Sequence, residues 1–319
     1  MVAFRNILVP VDSSETSRGA AAFAMALAKR FGASLVFAHS VDLAGAVSVC
    51  ATPYNVPDVE PIFQALEDES KNCLDDAVAR ARAAGLAASV VELAGPPAGA
   101  ILDALHDRSF DAIVMGTHGR SGASRFFLGS TAEGVLRGAD VPVFIVPAGA
   151  VTRAADASAF ESIEVALDSS EPSAAALQCA LDIAVPGKTT VLVTHVVSVH
   201  EVYGMLGAHR KSAPVALAEE RDDARALIDA AADLARDLGF PAEAVLLDGP
   251  PAQRILQLAG SHGVDLLVLG THGRRGFERM ILGSIAEGVL RGAKVPVLVV
   301  PGSAAAAIAS DVDALQPAR

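Results

Sequence analysis

The chain repeats itself. Shifted by 154 residues, its second half falls on its first: Gly95-Pro96-Pro97 meets Gly249-Pro250-Pro251, Gly116 meets Gly270, Ser130 meets Ser284 and Pro147 meets Pro301. Between Asp111 and Pro147, 25 of 37 aligned positions are identical. That density marks two copies of one folding unit. Toward the start of each copy the shift becomes 156, so that Asp12 meets Asp168 and His39 meets His195. Whatever one copy forms, the other must form too. The expected domains are residues 1–150 and 151–303, joined through the small, polar stretch Ala148–Ala159 and followed by an Ala-rich tail at 304–319.

Each copy alternates strand and helix patterns. In the first, "NILVPVD" reads as a strand, Glu15–Phe31 as an alanine-rich helix and "SLVFAHSV" as a second strand. An irregular stretch to about Pro61 follows, then a helix to about Ala84 and the strand "ASVVELA". A helix opens at Gly95-Pro96-Pro97, with Pro in the first turn where a missing N–H costs least. The strand "FDAIVMG", a helix over Ser130–Gly138 and the strand "VPVFIVP" complete the copy; the second runs likewise from "SIEVALD" to "VPVLVVP". This order predicts an α/β protein of two tandem, doubly wound, five-stranded parallel-sheet domains. With 52% apolar residues, few aromatics and no Trp, the cores must be built from Ala, Val, Leu and Ile. Ligands of such sheets sit at the carboxyl ends of the strands, near the switch in strand order.

Charge and cysteine usage narrow the partners. A formal net charge of -12 argues against nucleic-acid coating and against anionic membrane surfaces. No run reaches about 18 uninterrupted apolar residues, so no membrane span is expected. The chain enters a strand pattern at once, which leaves no room for a signal peptide. Cys50, Cys73 and Cys179 are odd in number and scattered. A reduced, cytoplasmic setting is the expectation.

The repeated glycines carry the chemistry. "GTHGRSGASRFFLGS" (Gly116–Ser130) and "GTHGRRGFERMILGS" (Gly270–Ser284) share the spacing Gly, two residues, Gly, nine residues, Gly-Ser. Gly116 and Gly119, like Gly270 and Gly273, let the backbone turn and approach a ligand where a strand ends. Gly129-Ser130 and Gly283-Ser284 open helices, whose N-termini attract phosphate. Arg120, Arg125, Arg274, Arg275 and Arg279 place cations nearby, equally readable as solvated surface. The stretch lacks the Lys of a Walker A loop and does not match G-x-G-x-x-G. Ser130 and Glu133, like Ser284 and Glu287, also match an S-x-x-E capping box. Capping alone would not explain two further glycines at fixed distance, twice.

The combined pattern, with an Asp closing the first strand of each copy, resembles the ATP-binding class of the universal stress protein family in its tandem form. The likeness covers both halves. It implies a fold of the adenine-nucleotide α-hydrolase-like type and one adenine-nucleotide site per domain, for ATP, ADP or AMP with Mg. On that resemblance Asp12 and Asp168 touch the ribose or the metal-bound phosphates, with helix capping as their plainer role. Val41 and Val197 offer backbone hydrogen bonds to adenine, and Met115 and Leu269 line the base pocket. Gly116, Gly119, Gly129 and Ser130, with Gly270, Gly273, Gly283 and Ser284, hold phosphates beside Arg120 and Arg274. Thr131 and Ile285 add a backbone N–H. The copies differ where Pro10 becomes Ala166 and Thr131 becomes Ile285; no glycine is lost, so both sites are expected to bind. The resemblance also implies pairing of fifth strands, here as an internal pseudo-dimer, with a further homodimer open.

Three functions compete: a nucleotide-dependent stress-response regulator with an unidentified protein partner, a slow Mg-dependent ATPase or ATP-using transferase, and a scaffold that binds no nucleotide. No Ser-His-Asp order, H-x-G-H or S-G-G-x-D-S pattern supports fast turnover. The stretches 42–61 and 198–214 lie near the expected base end and differ most between copies. His39 and His195 read as satisfied core histidines, and His118 and His272 as either phosphate contacts or loop anchors.

Overall fold

The computed structural model describes residues 4–50, 58–107, 109–118, 128–150, 160–168, 170–198, 213–271, 282–302 and 304. The chain divides into two compact units, Ala3–Ala157 and Ser158–Arg319. In the first, the elements are β1 (Asn6–Pro10), α1 (Glu15–Phe31), β2 (Ser34–Val41), α2 (Leu43–Cys50), α3 (Val59–Ala83), β3 (Ala88–Ala94), α4 (Pro97–Asp107), β4 (Ala112–Gly116), α5 (Ser130–Gly138) and β5 (Val143–Val146). The second holds β6 (Ser162–Ala166), α6 (Glu171–Ile183), β7 (Thr190–Val197), α7 (Ala213–Asp237), β8 (Ala242–Asp248), α8 (Pro251–Ser261), β9 (Leu266–Gly270), α9 (Ser284–Gly292) and β10 (Val297–Val300).

The strand order is β3-β2-β1-β4-β5 in the first unit and β8-β7-β6-β9-β10 in the second, with parallel pairs throughout each. From β1 the chain winds outward to β3, then returns to β4 on the other side. The carboxyl ends of β1 and β4 therefore splay apart at the switch point, as do those of β6 and β9. Central strands are buried on both faces, with Ile7, Leu8, Val9, Ile113 and Val114 at 0% exposure, which is why they read as unbroken apolar runs. Among the described residues no helix is long and apolar enough to cross a membrane.

Several repeated residues turn out to hold the frame. Asp111 Oδ2 accepts the N–H groups of Arg5 (2.6 Å) and Asn6 (2.7 Å), and Asp265 Oδ2 does the same for Glu161 and Ser162. Each Asp thus ties the start of the first strand to the start of the fourth. Gly134 lets α5 close on α4: a Cβ there would lie 2.7 Å from Ala98 Cβ. Gly288 stands in the same relation to Ala252, at 2.8 Å. The stretch read as irregular to Pro61 is partly helical. Asp42 Oδ1 accepts the N–H of Gly45 (2.9 Å) at the start of α2, and Asp58 caps α3, accepting from Glu60 N (3.3 Å). Gly45 hid the first helix, and Pro61 falls in the first turn of the second, where it needs no N–H.

The second core carries polar residues where the first has apolar ones: Glu164 for Leu8, Thr189 for Ala33 and Thr194 for Ala38. Glu164, in the middle of β6, aligns with Leu8 of β1; both are 0% exposed. Among the described residues neither carboxyl oxygen of Glu164 nor the buried Thr194 hydroxyl makes a hydrogen bond of ordinary geometry, and the one side chain that acts on the Glu164 carboxyl is Thr194. Burial pushes the Glu164 carboxyl up to about 8, with the neighbouring Thr194 hydroxyl pulling weakly the other way. The folded acid therefore ionises later than the unfolded one. Its contribution is intact below the unfolded value near 4.5 and is lost as pH rises toward 8. The shift caps the loss at about 5 kcal/mol. Glu164→Leu is expected to stabilise the second unit, with a margin over wild type that widens between pH 5 and pH 8 in urea unfolding. A margin independent of pH would show that Glu164 titrates normally.

Candidate functional site

In the first unit a cavity of about 320 Å³ opens at the carboxyl ends of β1 and β4, within the size range of small-ligand sites. One wall is the exit from β1. Val11 N donates to Ala38 O (2.8 Å) and His39 Nδ1 lies 2.7 Å from Val11 O, which fixes the direction in which Asp12 leaves the sheet. Asp12 Oδ1 accepts both the N–H (3.0 Å) and the hydroxyl (2.5 Å) of Ser14. Ser14 in turn caps α1, accepting from Ser17 N at 3.1 Å. Asp12 is therefore not the helix cap. It is a carboxylate clamped at a strand end, and its second oxygen has no donor among the described residues. In the second unit Asp168 Oδ1 accepts from Ser170 N (3.1 Å) and Oγ (2.5 Å), and Ser170 caps α6.

The opposite wall is the exit from β4. The chain leaves through Gly116-Thr117-His118 and returns at Gly129, whose N–H donates to Thr117 O at 2.8 Å. Gly283 N and Thr271 O repeat this bond at 2.8 Å. Gly129 has φ -65 and ψ 147, open to any residue, so conformation does not demand glycine. Proximity does: a Cβ would lie 3.0 Å from Thr117 O. At Gly116 a Cβ would sit 3.0 Å from Thr16 Cβ and 3.1 Å from its carbonyl carbon. Packing against the first turn of α1 thus requires this glycine, beyond the ligand approach inferred from sequence.

The start of α5 decides between capping and binding. Ser130 is the first helical residue, Gly129 is the N-cap, and no side chain caps the helix. Glu133 pairs with Arg137 Nη2 (2.5 Å) instead of reaching back, so the capping box does not form. The first helical bond is Glu133 N to Gly129 O. The N–H groups of Ser130, Thr131 and Ala132 have no acceptor among the described residues, and all three residues line the cavity. The aligned peptide dipoles add a partial positive charge there. At the same end, His118 Nδ1 lies 2.9 Å from Thr117 Oγ1, while Nε2 is buried with no partner among the described residues. Burial holds this imidazole below its ordinary value, which favours the neutral ring. In the second unit α9 also begins at an uncapped Gly283-Ser284.

The structure brings Asp12, Met115, Gly116, Gly129, Ser130 and Thr131 to one cavity. Val41 lines an adjoining one of about 580 Å³ that shares Leu93 with the first. Gly119, Arg120, Gly273 and Arg274 lie outside the described residues. In the second unit Asp168 follows β6, Val197 ends β7, Leu269-Gly270 ends β9, and Gly283, Ser284 and Ile285 open α9. Sequence reasoning missed Ile101 and Pro97 of α4 and the role of His39 as a lining residue. The repeats Ile101/Ile255 and Pro97/Pro251 were the available signal. Thr16, whose hydroxyl donates to His118 O, offered none, because Pro172 stands in its place in the second copy.

The model of the universal stress protein family matches residues 3–147 and again residues 159–301. The chain belongs to the universal stress protein family. A member from Mycobacterium tuberculosis is 27% identical over 302 residues, covering 92% of this chain and 96% of its own. Another, from Methanocaldococcus jannaschii, is 33% identical over 143 residues, 45% of this chain and 82% of its own. The crystal structure of a universal stress protein from Archaeoglobus fulgidus shares the fold, with a TM-score of 0.72 at 24% identity over 94% of this chain and 98% of its own.

The glycine geometry generates a prediction that needs no ligand. A Cβ at Gly270 would lie 2.7 Å from Pro172 Cβ and 2.9 Å from its carbonyl carbon, a tighter fit than at Gly116. Gly270→Ala is expected to destabilise the second unit by about 1–3 kcal/mol, more than Gly116→Ala destabilises the first. Equal midpoints for the two variants in denaturant unfolding would contradict this.

Proposed function

We propose that this chain is an adenine-nucleotide-binding regulator of a stress response, with nucleotide phosphates held at the N-terminus of α5. The uncapped first turn carries the reading: three N–H groups with no acceptor among the described residues belong to residues that line a cavity at the switch point of the sheet. The partnerless Nε2 of His118 supports it. In the tautomer whose Nδ1 accepts from the Thr117 hydroxyl, Nε2 carries the proton and is one more donor. The apolar floor of Pro10, Ala38 and Met115 suits the flat face of a base.

Magnesium fits the same arrangement. It is ordinarily held by one or two carboxylates together with phosphates and water. Asp12, clamped by Ser14 through one oxygen only, supplies one such carboxylate, and Asp168 is its counterpart. Among the described residues, the titratable ones lining the cavity are Asp12, His39 and His118. Asp12 and His39 are engaged in holding the β1 exit, which favours occupancy over turnover as the signal.

Ser130→Pro tests the reading without breaking the helix. Proline is well tolerated at the first helical position, and the extended Gly129 (ψ 147) is compatible with a following proline. The change removes one N–H and one hydroxyl from the phosphate end. Affinity for Mg-ATP in titration calorimetry is expected to fall roughly tenfold or more, with an unchanged circular dichroism spectrum. Undiminished affinity in the folded variant would move the phosphates elsewhere.

A further inference from the structure

The two copies of the site share one end and differ at the other. Asp12, Gly116, Gly129 and Ser130 recur as Asp168, Gly270, Gly283 and Ser284, which is the phosphate end of the nucleotide reading on which this inference rests. At the floor, Ala38 becomes Thr194. The frames around these two residues carry the same bonds. Val11 N to Ala38 O and Leu167 N to Thr194 O are both 2.8 Å. His39 and His195 each lie 2.7 Å from the carbonyl that follows the first strand. Thr194 therefore stands where Ala38 lines the cavity of the first unit, with two more heavy atoms.

The environment beneath it differs as well. Thr194 pairs in register with Ala166, and Glu164 lies two residues earlier on the same sheet face. That face otherwise carries Leu192, Leu267 and Leu269. The Thr194 hydroxyl and the Glu164 carboxyl are buried neighbours whose one polar interaction is with each other, and neither makes a hydrogen bond of ordinary geometry among the described residues. Polar groups buried with so little hydrogen bonding weaken the unit that contains them. In a duplicated frame they mark where the tasks of the copies diverge. A base seated as over Ala38 would overlap Thr194 and would lie across polar groups to which its face offers nothing.

We infer that Thr194 and Glu164 are specificity determinants that keep adenine nucleotides out of the second unit, leaving the first with the chain's one tight adenine-nucleotide site. The phosphate frame of the second unit is then reserved for a different ligand body.

The test is calorimetric titration of the full chain with Mg-ATP, using wild type, Thr194→Ala and the double variant Glu164→Leu/Thr194→Ala, which installs the residues the first unit carries at these positions. Wild type is expected to bind one tight equivalent. The double variant is expected to bind two, its second-unit affinity rising about tenfold or more while the first site is unchanged. Thr194→Ala alone should give part of the gain, and Ala38→Thr should weaken the tight site. Two equal tight equivalents in wild type would overturn the inference, as would a folded double variant that still binds one. Absence of binding in every protein would overturn the nucleotide reading itself, and this inference with it.

Discussion

One main-chain hydrogen bond organises the site. Gly129 N donates to Thr117 O, clasping the start of α5 to the end of β4. Without it the helix would begin at a distance from the strand ends and its free N–H groups would face solvent. The clasp favours glycine because a Cβ would press on Thr117 O at 3.0 Å. Its position also explains why the helix is uncapped. Gly129 occupies the N-cap position without a side chain to offer, and Ser130 is already inside the helix.

The other wall is built by a different device. Asp12 and Asp168 fix the serine that caps the following helix, and the strand-two histidines hold the strand exit. Each unit therefore sets a carboxylate across from a helix N-terminus, two opposite electrostatic features at the mouth of one switch point. The two units share this frame and differ at the floor. The first unit has an apolar floor, whereas the second carries Glu164 and Thr194 at the corresponding positions.

Much of this was legible in the residues. Alternating strand and helix patterns gave the order of elements, and the parallel crossovers placed the site at the carboxyl ends. The start of α5 at Ser130 followed from the Gly-Ser step. Other features were hidden for physical reasons. A capping box and a bare helix start have the same S-x-x-E letters, and only the main-chain bond of Gly129 and the pairing of Glu133 with Arg137 separate them. Asp12 and Ser14 both suit a cap, and the structure assigns the cap to Ser14. The packing demand on Gly116 comes from Thr16, about a hundred residues away in sequence. The α2 helix was masked by Gly45, whose N–H is held by Asp42.

The central claim is that the first-turn N–H groups of α5 receive phosphate. The direct measurement is the backbone amide spectrum of the isotope-labelled protein during titration with Mg-ATP. The account predicts large downfield proton shifts for Ser130, Thr131 and Ala132, saturating together with the binding isotherm. Binding that leaves these three amides unmoved would contradict it.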